Sequence, residues 1–185
     1  MSIGHRKTKR TYNEPGHAHY LTYSCFDRLP LLSAARTCEW VLESIGTARS
    51  RHEMDVYAYV IMPEHVHLLV RSRRAEYRLD RFLADLKRPV SWKAKQFLAR
   101  QGRRDWLRRL TIEEGGRKVF RFWLPGGGYD ENAWSVRTVR AMAEYIHFNP
   151  VRRGLVKKPT DWPWSSARFW AGMPGVLLPM DPIPT

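Results

Sequence analysis

The sequence predicts an α+β fold of the ferredoxin-like kind, an antiparallel sheet with helices packed on one face. Two observations predict it: several segments are rich in the β-branched and aromatic residues that favour strands, and in others apolar residues recur at helical spacing. The segments alternate as strand, helix, strand, strand, helix, strand, helix. The length of 185 residues fits one domain with a core of its own.

The first half of the chain contains three predicted strands and one predicted helix. Residues 19–26 are rich in Tyr, Leu and Thr, which favours a strand. From 34 to about 51, apolar residues fall at helical spacing. Residues 55–62 and 65–71 are rich in β-branched and aromatic types. Pro63 separates these two segments, so we expect them to be antiparallel neighbours.

The second half contains two predicted helices and a further strand. An apolar stripe over 79–98 predicts a long helix, which Pro89 should kink or divide. Residues 100–118 are polar and basic and predict an exposed loop or hairpin, followed by a strand at 119–124. A final helix is predicted over 135–150, with a serine as its cap and a proline at its end.

Composition divides the chain into a basic flexible arm (1–17), a folded domain (18–170) and a Pro-rich tail (171–185) that we expect to lie loosely on the surface. Cys25 and Cys38 form no metal or disulfide pattern and predict reduced packing residues of a cytosolic protein. No secretory signal and no membrane-spanning segment is expected.

The charge balance predicts a polyanionic partner. Lys and Arg number 32 against 18 Asp and Glu, a formal net charge of +14. Such a field attracts nucleic acid first of all. An anionic membrane surface is the alternative, but the chain has no long basic amphipathic stretch. A merely soluble basic protein is the other alternative.

Two histidines flank one apolar residue in a predicted strand. Side chains at i and i+2 point to the same face, so His65 and His67 would project together with Val66 turned away. Two imidazoles so placed can bind one divalent ion. Taken alone, however, this spacing more often belongs to two ordinary strand histidines. Glu64 could add a carboxylate, or cap the turn.

A tyrosine and an asparagine share one face of the final predicted helix. Tyr145 and Asn149 are four residues apart. A phenol can attack a phosphodiester that a metal polarises, and an amide oxygen suits Mg²⁺ or Mn²⁺. In the alternative, Tyr145 packs at the edge of the core and Asn149 caps the helix. His147 lies off this face and is expected on the surface.

Three blocks of sequence together resemble a known family. They are Met-Pro-Glu-His-Val-His at 62–67, the run from Tyr to Val at 145–156, and Asp-Trp-Pro-Trp-Ser-Ser-Ala at 161–167. In this order they are similar to the signature blocks of REP-associated tyrosine transposases, members of the HUH single-tyrosine transposase superfamily. The similarity extends from about Tyr20 to Trp170.

The resemblance implies a function for the domain at 18–170. His65 and His67 match the family's metal-binding pair, Tyr145 its nucleophile, and Asn149 the residue that completes the site for Mg²⁺ or Mn²⁺. It implies a ferredoxin-like fold of the HUH endonuclease type. It also implies cleavage of single-stranded DNA near hairpins, with a 5′-phosphotyrosine link and a freed 3′-hydroxyl that can rejoin DNA.

The resemblance also leaves open points. Asn132 stands where relatives often have a histidine, which puts an auxiliary role there in doubt. Tyr129 is a rival nucleophile in a Gly-rich loop. We expect a monomer or homodimer that is cytoplasmic and nucleoid-associated, with no membrane partner. The alternatives are a catalytically silent hairpin-binding module and an unrelated metal-dependent hydrolase that uses an activated water.

Basic residues are the candidates for contacts with DNA phosphates. Interleaved tryptophans could stack on unpaired bases, or fill the core instead. The tryptophans are Trp92, Trp106 and Trp123. The predicted DNA-binding residues are Arg6, Lys7, Arg10, Arg71, Arg73, Arg74, Lys87, Arg88, Lys93, Arg152 and Arg153.

Overall fold

A four-stranded antiparallel sheet forms the centre of the computed structural model, which describes residues 13–184. Its strands lie in the order β2-β3-β1-β6, so the first strand is central and pairs with β3 and β6. This is the strand order of a ferredoxin-like βαββαβ unit, and it confirms the predicted fold class. In chain order the elements are β1 (Ala18–Ser24), α1 (Ala35–His52), β2 (Met54–Ile61), β3 (His65–Ser72), α2 (Leu79–Arg100), α3 (Arg104–Arg109), β4 (Thr111–Glu114), β5 (Arg117–Phe120), β6 (Tyr129–Ala133), α4 (Val136–Arg152) and α5 (Ala167–Trp170).

Both faces of the sheet are covered, because side chains alternate between two apolar clusters. Leu21 and Tyr23 of β1 point into a cluster with α1 and α2. Tyr20 points the other way, into a cluster with Ala143 and Ile146 of α4. Helices were expected on one face of the sheet. This is correct for α1 and α2, but α4 packs on the opposite face.

Two helices contain a proline, and neither is interrupted there as predicted. α2 continues through Pro89 and α4 continues through Pro150 to Arg152. A proline removes one N–H donor, and the following turn of α4 still forms, since Arg153 N donates to Asn149 O at 3.1 Å. The expected division of α2 and the expected end of α4 at Pro150 were both wrong.

The fourth strand of the sheet lies later in the chain than predicted. It is β6, whose sequence Tyr-Asp-Glu-Asn-Ala is mostly polar. The predicted strand at 119–124 instead contributes its first residues to β5, which pairs only with β4 in a separate hairpin. That hairpin lies partly within the segment 100–118, where an exposed loop or hairpin was expected.

Two segments cover the exposed edge of β2. Ile61 N donates to Trp164 O at 2.9 Å, so the third signature block pairs with this edge. Further along β2, Val56 N donates to the Asp181 carboxylate at 2.7 Å, and Met180 is buried. The tail is therefore packed against the sheet around Met180 and Asp181, contrary to the expected loose segment, whereas residues 171–175 are exposed. Of the predicted arm, residues 1–12 lie outside the described part of the chain.

Candidate active site

The two histidines of β3 converge on one point. His65 and His67 project from the same face of the strand, and their Nε2 atoms are 2.9 Å apart. Two nitrogen ligands bound to one ion at about 2.1 Å and at right angles would be separated by about 3 Å. The pair is thus spaced as two neighbouring ligands of a single cation.

Glu64 orients the first histidine. Its carboxylate lies 3.2 Å from His65 Nδ1 and also accepts from Arg153 at 2.7 Å. Burial opposes ionisation of Glu64, but the hydrogen bond from Arg153 and the nearby His65 lower its pKa. Burial also opposes ionisation of His65, which for an imidazole lowers the pKa, so the ring is neutral. Glu64 holds the ring through Nδ1 and leaves Nε2 directed at His67.

The second histidine is held by two hydroxyl groups of β1. His67 Nδ1 lies 2.8 Å from Tyr20 Oη and 2.8 Å from Thr22 Oγ1. Burial, with a smaller contribution from His65, lowers the pKa of His67 to about 3. Burial raises the pKa of Tyr20 to about 12. Both partners are therefore neutral near pH 7.

Tyr145 lies beside this pair. Helix α4 packs on the sheet through buried Ile146, which turns Tyr145 outward at 44% exposure. Its ring centroid is 6.4 Å from that of His67 and 6.2 Å from that of Tyr20. The guanidinium of Arg152 lies 4.7 Å from the Tyr145 ring centroid. An exposed phenol and an exposed cationic group thus lie beside two largely buried imidazoles.

Asn149 is buried on the same helix, one turn after Tyr145. Its Nδ2 donates to the Tyr145 backbone carbonyl at 2.9 Å, which leaves the amide oxygen for another partner. Within residues 13–184, no three His, Cys, Asp or Glu side chains come together as a metal cluster. An amide oxygen is a hard donor that suits Mg²⁺ or Mn²⁺, so Asn149 is the candidate for a third ligand on α4.

His147 was expected on the surface and is instead an internal link. Its Nε2 lies 2.9 Å from Ser166 Oγ, and burial lowers its pKa to about 4. Ser166 Oγ in turn accepts from Tyr59 N at 2.9 Å. His147 therefore joins α4 to the segment along the edge of β2 rather than to the candidate active site.

The rival tyrosine lies on the same face as Tyr145. Tyr129 begins β6, not a loop, and is opposite Thr22 in the register with β1. It is 41% exposed, donates a hydrogen bond to Glu131, and lies 6.0 Å from the Tyr20 ring. Side chains alternate along β6, so Asn132 lies on the opposite face of the sheet from Tyr129. That is the face covered by α1 and α2, away from the histidine pair.

Three neighbours of the site were not predicted from the sequence: Tyr20, Thr22 and Glu131. All three become neighbours through the pairing of β1 with β3 and β6. Period-two alternation places Tyr20 and Thr22 on a common face, which is the one signal that the sequence contains. Which histidine they meet depends on the register between strands that are far apart in the chain.

Only part of the predicted DNA-binding set lies near Tyr145. Arg152 and Arg153 contact the site itself. Arg71 and Arg73 pair with Asp55 at the far end of β3, about 20 Å from His65 at ~3.4 Å per residue.

The remaining predicted contacts are dispersed. Arg74 pairs with Glu53, and Lys93 pairs with Glu43. Lys87 donates to Gly126 O at 2.7 Å, and Arg88 lines a separate cavity of about 630 Å³. Arg6, Lys7 and Arg10 lie outside the described residues.

The tryptophans also divide. Trp92 is largely exposed, and Trp106 lies half-buried in α3. Trp123 is buried and donates through Nε1 to Lys87 O at 3.1 Å. Trp123 is thus a core residue and not a stacking surface.

In the described part of the chain, every helix is too short or too polar to cross a membrane.

Comparisons with known proteins agree with the motif resemblance. No family model matches the chain. A Haemophilus influenzae protein named "Putative REP-associated tyrosine transposase" is 26% identical over 156 residues, covering 79% of this chain and 80% of its own length. A solved structure of a REP-associated tyrosine transposase bound to a REP hairpin is 20% identical, with a TM-score of 0.66, and covers 95% of this chain and 92% of that one. Motifs, relative and shared fold together confirm the resemblance of this chain to the REP-associated tyrosine transposases.

Proposed function

We propose that this protein is a metal-dependent single-strand DNA endonuclease and strand transferase that acts near DNA hairpins through Tyr145. The observation that carries the proposal is the position of an exposed phenol beside two convergent, neutral imidazoles. The similar protein from Haemophilus influenzae and the fold shared with a hairpin-bound transposase support DNA hairpins as the substrate.

The reaction is a phosphoryl exchange that conserves bond energy. Tyr145 Oη attacks the phosphorus, a Tyr–O–P bond forms, and the bond from phosphorus to the 3′-oxygen breaks. The phenol loses one proton and the leaving 3′-oxygen gains one. Because one phosphodiester replaces another, the step needs no external energy source. Attack by the 3′-hydroxyl of a second strand reverses the step and joins the two strands.

The residues around Tyr145 prepare this attack. Arg152 lies over the phenol ring and places positive charge where a phosphate would approach. His65, His67 and Asn149 would hold Mg²⁺ or Mn²⁺, since both imidazoles are neutral and the amide oxygen is a hard donor. The bound cation would polarise the phosphoryl oxygens. Glu64, Tyr20 and Thr22 keep the two rings in position.

A gel assay for a covalent adduct tests the proposal. Labelled hairpin DNA with single-stranded flanks is incubated with the protein and Mg²⁺ or Mn²⁺ and separated under denaturing conditions. We expect an adduct with the wild type and with Tyr129→Phe, and none with Tyr145→Phe or after chelation of the metal.

Three outcomes would overturn it. An adduct that persists in Tyr145→Phe would assign the nucleophile elsewhere. Hairpin binding by the wild type without any adduct, across varied hairpins and flanks, would favour a catalytically silent binding module. Cleavage without an adduct that tolerates Tyr145→Phe would indicate a hydrolase that activates water.

A further inference from the structure

Two hydroxyl groups meet a single ring nitrogen of His67, which is more than one neutral imidazole nitrogen requires. Thr22 is directly opposite His67 in the antiparallel register, and Tyr20 lies diagonally on the same face. Both oxygens are 2.8 Å from His67 Nδ1. The Tyr20 ring also stacks on the His67 ring, with centroids 5.5 Å apart and planes inclined by 13°.

Hydrogen-bond accounting fixes the tautomers without a cation. The Glu64 carboxylate only accepts, so His65 has its proton on Nδ1 and leaves Nε2 as an acceptor. His67 Nε2, at 2.9 Å, must then donate to it, because two unprotonated nitrogens at that distance would repel. The single proton of neutral His67 is therefore on Nε2, and its Nδ1 accepts from a hydroxyl.

A cation between the two Nε2 atoms requires the other tautomer of His67. Its Nε2 must then be unprotonated, so the ring proton is on Nδ1, which must donate. The ring has one proton in both arrangements. A carboxylate at this place could only accept and a backbone N–H could only donate, whereas a hydroxyl does both.

We infer that the hydroxyl pair of Tyr20 and Thr22 is a positioning device that satisfies both tautomers of His67 and so makes it competent to bind the cation. The inference rests on the metal site of the proposed function. Tyr20 also connects this pair to the nucleophile, since its ring packs edge-on against Tyr145 at 6.2 Å and 84°. One β1 residue thus contacts both a proposed ligand and the proposed nucleophile.

Metal affinity without DNA tests the inference. Mn²⁺ binding to the full chain is measured by calorimetry for the wild type, Tyr20→Phe, Thr22→Val and the double variant. We expect the double variant to bind Mn²⁺ roughly 10- to 100-fold more weakly, the usual effect of removing outer-shell partners. Each single variant should lose less, because one hydroxyl remains.

Tyr23→Phe is the matched control. Tyr23 is the neighbouring β1 residue, faces the other cluster, and has a buried hydroxyl without a hydrogen-bond partner among the described residues. Its Mn²⁺ affinity should equal that of the wild type. Equal affinity of the double variant and the wild type, or an equal loss in Tyr23→Phe, would overturn the inference.

Nitrogen-15 NMR of the histidine rings separates this inference from the proposed function. In the metal-free wild type we expect His67 as the Nε2–H tautomer with Nδ1 accepting a hydrogen bond, because the contact with His65 fixes the proton on Nε2. In the double variant we expect the same tautomer but a downfield shift of the Nδ1 resonance, because that nitrogen no longer accepts a hydrogen bond. If the wild type bound no Mn²⁺, the metal site would fail, and the Nδ1 resonance would still decide the role of the hydroxyl pair. An unchanged Nδ1 resonance in the double variant would contradict that role.

Discussion

Burial fixes the protonation of the imidazoles, and their neighbours determine what each one does. His67 and His147 both have pKa values lowered by burial, to about 3 and about 4. His67 faces another imidazole and lies beside the exposed Tyr145. His147 faces Ser166 and links two structural segments. The first is suited to bind a cation, and the second stabilises the fold only while it remains neutral.

The buried His147 should make the protein acid-sensitive. Between about pH 4 and 6.5 the unfolded chain binds a proton at this residue that the folded chain does not. The free energy of unfolding should therefore decrease as the pH falls from 6.5 to about 4. In His147→Gln, urea unfolding should show a shallower decrease, by at most about 1.4 kcal/mol per pH unit. Identical pH profiles of the two proteins would contradict this role.

For the four candidate site residues, the sequence could predict which ones share a face, because short-range geometry fixes it. Residues two apart on a strand share a face, and so do residues four apart on a helix. This spacing predicted that His65 lies beside His67 and that Tyr145 lies beside Asn149. Tyr20 could not be assigned, because its contact with His67 depends on the register of β1 with β3. Long-range register is not encoded in any local pattern.

At the scale of elements, β6 closes the sheet next to the site. Its polar sequence resembles a loop, which is why the strand was missed and 119–124 was predicted in its place. Its position depends on Gly128, which has a φ of +75° and lies against the backbone of Thr22. Helices α1, α2 and α4 were predictable, since each has an apolar stripe of the correct period.

Gly128→Ala should destabilise the protein. A Cβ at this position would lie 2.0 Å from Thr22 O, a backbone atom that cannot move without displacing β1. Gly126→Ala is the matched control, because its φ of +84° adds the same backbone strain but nothing lies within 4 Å. We expect Gly128→Ala to lower the free energy of unfolding by at least about 1 kcal/mol more than Gly126→Ala does. Equal losses in chemical unfolding would show that the contact with Thr22 is unimportant.

The net charge of the chain is +14, but within the described part of the molecule the predicted DNA-binding residues lie in several separate places. Several of the predicted contacts are already paired with carboxylates, such as Lys93 with Glu43. Arg152, by contrast, lies over the candidate nucleophile. Local pairing therefore distinguishes Arg152 from Lys93 as a candidate phosphate contact, a distinction that composition alone could not predict.

Arg152→Gln should weaken DNA binding and its salt dependence together. Each lost phosphate contact on single-stranded DNA reduces the slope of log K against log salt concentration by about 0.7. Lys93→Gln is the comparison, and we expect a smaller change because Glu43 already neutralises that lysine. Titrations of labelled DNA at several salt concentrations give both slopes. An equal or larger change in Lys93→Gln would place the DNA elsewhere.

The most direct test of the whole account identifies the residue that becomes linked to DNA. After reaction with hairpin DNA and nuclease digestion, trypsin releases Tyr145 within residues 141–152 and Tyr129 within residues 122–137. Mass spectrometry should find a nucleotide on the first peptide, attached to Tyr145, because that phenol lies beside the histidine pair. A nucleotide on the second peptide, or on neither, would contradict the account.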